Sequence, residues 1–479
     1  MQRFKFVLSL LVAMLLVPSI CLAEGHFQLP KDLSIIWIVP FVCMLLSIAL
    51  GPLTVPHFWE EHFGKIAAFW GLAFLIPCAM VFGCGNAMFL ALDSILLEYL
   101  PFILLLLALF TVAGGIRLKG SLVGTPKVNT GILALGAILA SWMGTTGAAM
   151  LLIRPLLRAN SHRKYRVHQV VFFIFLVANI GGSLSPLGDP PLFLGFLKGV
   201  DFFWTTMHLF PMTALAGVLL LVLYFIIDTV LYKKEGCPVP SDVAERSTEL
   251  EFGSEKLSFQ GGINFFFLLL IVANTLISGQ WKGAEFHIYG VPMEMQNVVR
   301  DLMYIVIAYA SWFFTSKECR RLNDFSWAPI LEVAKLFIGI FLSMIPAIAI
   351  LRAGQEGALA AVVNMTTSAT GEPINSMYFW LTGCLSSFLD NAPTYLVFFN
   401  TAGGDAALLM TKEAATLAAI SAGAVFMGAI TYIGNAPNFM VKAISEQSGV
   451  KMPSFFGYMA WSVGILCPIF LILTVLFFL

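Results

Sequence analysis

Charge is scarce in this chain. Asp, Glu, Lys and Arg make up 11% of the 479 residues and cancel to a formal net charge of zero, whereas a soluble domain carries roughly 25% charge. So little charge excludes an ordinary soluble surface, and the zero balance offers nothing to a nucleic acid. Eight cysteines occur, none in CxxC or Cys/His spacing, which excludes a zinc module. Cys43, Cys78, Cys84, Cys384 and Cys467 lie in or beside apolar runs and read as packing residues. There is no HExxH or GxSxG, and the seven histidines avoid the centres of apolar runs, so zinc and serine hydrolase chemistry have no footing. His57 and His62, near Trp59, read as solvated loop residues. No cofactor is expected.

What the chain does have is apolar length. Hydrophobic residues reach 59%, mean hydropathy is +0.88, and many runs approach the roughly 20 residues that cross a bilayer as helix. No alternating ten-residue pattern suggests a barrel, so an all-α polytopic membrane protein follows, with lipid as its first partner. Residues 1–23 have a basic start, an apolar stretch to Ile20 and Ala23 before Glu24. They read as a signal peptide, with an uncleaved helix as the alternative. That places the mature start outside and suggests a bacterial inner (cytoplasmic) membrane.

Spans are expected at roughly 33–53, 65–85, 98–116, 168–197, 209–232, 261–279, 297–316, 328–350, 413–446 and 455–478. Stretches 130–160 and 376–402 carry polar residues at their centres and read as re-entrant hairpins. Arg117, Lys119, Lys127, Arg158, Arg163, Lys164, Arg166, Lys233, Lys234, Lys317, Arg320 and Arg321 fall on one side, which the positive-inside rule makes cytoplasmic. The second hairpin ends in Asn400–Asp405 without a basic residue, so the hairpins enter from opposite faces. Residues 24–232 and 260–479 are then two repeats of inverted topology, joined by a cytoplasmic linker at 233–259.

The repeat is also visible in motifs. Ser183–Phe193, with Pro186, Gly188, Asp189, Pro190 and Pro191, answers to Thr431–Phe439, with Gly434, Asn435 and Pro437. Upstream, Ser141–Gly147 answers to Ser387–Pro393. Gly188 and Gly434, like Thr145 and Asn391, stand 246 residues apart. Proline and glycine break these helices, and such paired breaks mark the substrate site of a secondary transporter. Oxygen-bearing side chains gather there: Thr145, Thr146, Asn179, Ser183, Ser185 and Asp189 in the first half, Ser387, Asp390, Asn391, Thr394, Thr431, Asn435 and Asn438 in the second. Such oxygens suit a hard monovalent cation. Asp189 aligns with Asn435 and Asp390 with Gly144, so each half contributes one carboxylate. An acid at membrane depth is a functional-site hypothesis, here a sodium ligand, and the competing role is an N-cap.

Asn179-Ile-Gly-Gly182, Pro186-Leu-Gly-Asp-Pro-Pro191, Ser387-Phe-Leu-Asp-Asn-Ala-Pro-Thr394 and Gly434-Asn-Ala-Pro-Asn438 resemble the ion transporter superfamily, over nearly the whole chain after the signal. That superfamily includes NhaD-type sodium/proton antiporters, arsenite permeases, citrate carriers and divalent-anion/sodium symporters. The branch most similar is labelled either sodium:proton antiporter or citrate transporter of the CitMHS kind. The resemblance implies two inverted repeats, each with a hairpin and an unwound helix, elevator-like movement and a homodimer. The Ser-Asn-Thr hairpin signature of the dicarboxylate carriers is absent; Gly144-Thr-Thr146 and Asp390-Asn391 replace it. The first expectation is therefore sodium/proton antiport through Asp189 and Asp390. The alternative is sodium- or proton-coupled transport of citrate or another organic anion. Arsenite extrusion and an intramembrane aspartyl protease are remote readings.

Overall fold

A computed structural model describes residues 27–120, 122–237, 258–368 and 370–479. The signal-peptide expectation at 1–23 and most of the expected linker, 238–257, lie outside the described residues.

The chain is helical, and the helices follow from apolar runs punctuated by Gly and Pro. The first half comprises α1 (Val39–Thr54), α2 (Pro56–Phe82), α3 (Cys84–Ala113), strand β1 (Arg117–Lys119), α4 (Pro126–Met143), α5 (Thr145–Ala159), α6 (Val167–Leu176), α7 (Pro190–Leu197) and α8 (Trp204–Lys234). The second comprises β2 (Ser258–Gln260), α9 (Ile263–Gln280), a hairpin of β3 (Glu285–Ile288) and β4 (Val291–Glu294), α10 (Met295–Phe314), α11 (Lys317–Leu322), α12 (Ala328–Arg352) and α13 (Ala360–Thr366). It continues with α14 (Asn375–Phe388), α15 (Asn391–Thr401), α16 (Ala406–Thr411), α17 (Ala414–Met427), α18 (Ala436–Gln447) and α19 (Phe455–Phe477). Strands β1 and β2 pair antiparallel, so the C-terminal end of the expected linker region meets the first half near Arg117.

Among the described residues, 8 helices are long and apolar enough to cross a membrane. Two expected spans have no counterpart among these 8, and a third, 168–197, is cut back to Val167–Leu184. Helix α10 has 20 residues, about 30 Å at 1.5 Å per residue, but carries Arg300 and Asp301. The expected span 413–446 is divided into α17 and α18 by the Gly/Pro break. Large apolar side chains face outward: Met80 is 82% exposed, Met207 74% and Phe313 70%. Only a lipid solvent makes that favourable, so this is a multi-pass membrane protein.

Helices α2 and α12 pack closely, with Gly339 against the Ala67 backbone and Gly71 in the same seam. Small residues one turn apart let two membrane helices approach, because packing rather than hydrophobic transfer holds them together in lipid.

A constant offset of 246 residues relates α4 to α14, α5 to α15, α6 to α17, α7 to α18 and α8 to α19. Their packing is reciprocal: α5 lies on α18 and α15 on α7. The polar staples repeat as well. Ser141 Oγ donates to Gly181 O (2.5 Å) and Ser387 Oγ to Met427 O (2.9 Å). Ser185 Oγ donates to Ser141 O, and Thr431 Oγ1 to Ser387 O. Leu187 N and Ile433 N then donate back to those two hydroxyls, both at 3.2 Å.

Candidate functional site

Each break is set by local backbone chemistry. Helix α4 ends at Gly144, whose φ of 81° belongs to the region that glycine enters without a Cβ penalty, and α5 starts at the next residue. Its counterpart Asp390 has φ −59° and instead closes its turn with the side chain, Oδ1 accepting from Ala392 N at 3.1 Å. Between α6 and α7 the chain passes through a short 3-10 turn at Ile180–Leu184 and then extended backbone. A Cβ on Gly188 would stand 2.1 Å from Gly182 O, and one on Gly434 2.6 Å from Gly428 O. Both expected glycines therefore permit one backbone segment to cross another.

Four helix N-termini converge at one carboxylate. Asp189, the N-cap of α7, is 1% exposed and does not cap its own helix. Its Oδ1 accepts from Thr145 Oγ1 at the start of α5 (3.0 Å) and from Asn435 Nδ2 before α18 (3.2 Å). Its Oδ2 accepts from Asn391 Nδ2 at the start of α15 (2.5 Å). Each N-terminus carries a partial positive charge from unpaired N–H groups, so their convergence favours negative charge at this point.

The network continues through amides. Asn435 also donates to Asn179 Oδ1 (3.2 Å), Asn179 to Asn438 Oδ1 (2.7 Å), and Asn438 to the carbonyls of Gly428 (2.8 Å) and Thr431 (2.9 Å). These six residues include no basic side chain. One oxygen in the set has no partner: Asn391 Oδ1 is buried beside Asp189 without a hydrogen bond. A buried unpaired acceptor costs about 1–3 kcal/mol, and an arriving cation or donor relieves that cost.

The other expected residues occupy different positions. Ser185, Ser387 and Thr431 spend their hydroxyls on the staples described above. Ser183 bonds Ile180 O and Thr213 on α8, and Thr394 bonds back to Asp390 O within its own helix. Thr146 is half-buried and outside the amide network, and Asp390 is half-buried at its rim. Lys198, just past the end of α7, pairs with Glu98 of α3, while Arg300 pairs with Asp301 at 2.9 Å.

Sequence reasoning placed Arg163 and Arg320 in cytoplasmic loops; both are buried in polar networks. Arg163 binds Asp228 (2.8 Å) and Glu235 (2.7 Å), and Asp228 also accepts from His168 and Asn129. Arg320 donates to Thr111 O and Ser311 O and lies over the rings of Trp312 and Phe325. The available signal was Asp228, an acid inside an apolar run, which requires a buried partner.

Residues 30–478 match the protein family described as "Putative citrate transport". The chain belongs to that family. Family membership makes it a membrane transporter. No cluster of His, Cys, Asp and Glu able to hold a metal occurs among the described residues. A comparison with curated proteins finds no match.

Proposed function

We propose that this protein is a secondary transporter that moves citrate, or a similar organic anion, coupled to sodium or protons through the Asp189 site. The observation that carries the reading is the buried Asp189 carboxylate, held jointly by Thr145, Asn391 and Asn435 where three other helix starts meet its own, with Asn391 Oδ1 unpaired beside it. Family membership supports the anion. Helix N-termini and backbone donors bind carboxylates without an arginine, so the lack of a basic residue in the network is compatible with it. A coupling cation at Asp189 and Asn391 Oδ1 neutralises the carboxylate and lets an anion approach the same helix ends. Asp390, whose Oδ1 caps α15, fits a place at the rim of that site.

In this reading α4–α5 and α14–α15 are re-entrant hairpins entering from opposite faces. The halves flanking residues 233–259 are inverted repeats, and the reciprocal packing supports this. Elevator-like movement in a homodimer of the bacterial inner membrane belongs to the same proposal. The absence of a base beside Asp189 favours a second reading, sodium/proton antiport without a carboxylate substrate.

Purified protein in proteoliposomes separates them. Labelled citrate should accumulate under an inward sodium or proton gradient and fail to do so in Asp189→Asn protein that remains folded. No citrate movement under any gradient, with sodium instead driving proton flux, would replace this reading by antiport.

A further inference from the structure

The far end of α5 carries a feature that the midplane site does not use. A cavity of about 380 Å³ opens there, lined by Arg117, Arg154, Arg158, Arg166 and Asp324; its size falls within the ~300–1,000 Å³ typical of small-ligand pockets. The arginines come from separate segments: β1, two positions on α5 and the residue before α6. Arg117 donates to Gln260 Oε1 (3.0 Å), Arg158 to Leu118 O (3.4 Å) and Arg166 to Gly449 O (2.9 Å). Arg154 pairs with Asp324 at 3.3 Å. These bonds orient the guanidinium groups, each of which has five N–H donors. Arg158 stands close enough to Arg117 and Arg154 to feel both charges.

Four cations around one void, with a single carboxylate in the lining, repel one another. The C-terminal dipole of α5 offsets part of this for Arg154 and Arg158, but it does not account for Arg117 and Arg166, which lie on other segments. An anion in the cavity does, and planar guanidinium forks match carboxylates in pairs. Arg158 and Ser161 at the rim are exposed, so the cavity is reachable from water. Arg154 lies nine residues along α5 from Thr145, about 14 Å at 1.5 Å per residue. The cavity and the Asp189 site are therefore served by opposite ends of one helix.

We propose that this cavity is a second anion site, a vestibule that collects a di- or tricarboxylate on the arginine-rich face before or after it occupies the midplane. The ligand class rests on the transport reading above. Dense positive charge in a concave site raises local anion concentration by 10-fold or more.

The test measures the KM for citrate separately at each face of proteoliposomes made from neutral lipid. Arg158→Gln/Arg166→Gln should raise KM about tenfold on one face only, an effect of the size field focusing supplies. Vmax should be retained, Arg158→Lys should be milder, and the difference should shrink as salt rises. An unchanged KM, or an equal rise on both faces, overturns the proposal. So does a rise seen only when anionic phospholipid is added, because the arginines would then be holding headgroups. Equilibrium binding of labelled citrate to Asp189→Asn protein separates the two readings. Wild-type protein that moves no citrate overturns the transport reading. Asp189→Asn protein that holds no citrate, or whose binding survives Arg158→Gln/Arg166→Gln, overturns the vestibule.

Discussion

Arg163→Met should destabilise this protein far more than the loss of a loop charge. Arg163 is 3% exposed, and three of its nitrogens are committed: Nη2 to Asp228 Oδ1 (2.8 Å), Nε to Glu235 Oε2 (2.7 Å) and Nη1 to Gly124 O (3.1 Å). Its guanidinium also lies 4.8 Å from the Tyr232 ring centroid. Methionine of similar length fills much of the space but leaves Asp228 and Glu235 buried without their cation. Asp228 retains His168, Asn129 and the Tyr224 hydroxyl; Glu235 retains the Tyr165 amide. Breaking a buried pair from one side costs about 3–5 kcal/mol, and the partners that remain place the expectation near the lower end, about 3 kcal/mol. Equilibrium unfolding in mixed micelles measures it directly. Asp228→Asn and Glu235→Gln added to Arg163→Met should recover much of the loss, because neutral amides need no counter-charge. A cost within about 0.5 kcal/mol, as at an ordinary surface site, would refute the reasoning, as would a triple variant weaker than the single one.

Other perturbations test the site. Gly188→Ala places a Cβ 2.1 Å from Gly182 O and should cost at least about 1–3 kcal/mol, the usual cost of overpacking, because backbone cannot swing aside as a side chain can. Gly217→Ala, with nothing within 4 Å of the added Cβ, should be neutral or stabilising by up to ~1 kcal/mol in the same assay; equal effects would undo the close-approach argument. Ser185→Ala and Thr431→Val each remove a hydroxyl from an equivalent staple and should each lower stability by about 1–2 kcal/mol. A marked inequality would show that the two halves do not share this device. Asn391→Leu removes one bond to Asp189 and the unpaired oxygen beside it. Sodium-coupled transport should need roughly 10–100 times more sodium, since contacts to charged groups are worth about 1.5–3 kcal/mol; an unchanged sodium dependence would remove Asn391 from the site.

Composition and spacing by themselves determined that this is an all-α membrane protein, broken at paired Gly/Pro positions, with Asp189 among oxygen-bearing neighbours. Those conclusions rest on local rules: lipid demands long apolar helices, and proline and glycine end them wherever they stand. The constant offset of 246 residues made the correspondence of α4–α8 with α14–α19 legible too, because homologous breaks carry similar residues. What each oxygen does was decided only by the tertiary structure. Ser185 and Thr431 read as ion ligands but reach the backbone carbonyls of Ser141 and Ser387, whereas Asn391 and Asn435, from the other half, reach Asp189. Arg163 and Arg320 read as loop charges because their partners Asp228, Glu235 and Thr111 lie 65, 72 and 209 residues away. Spacing reports which side chains share a helix face, but hydrogen bonds act over about 3 Å, and only the packing of distant helices brings such atoms within that range.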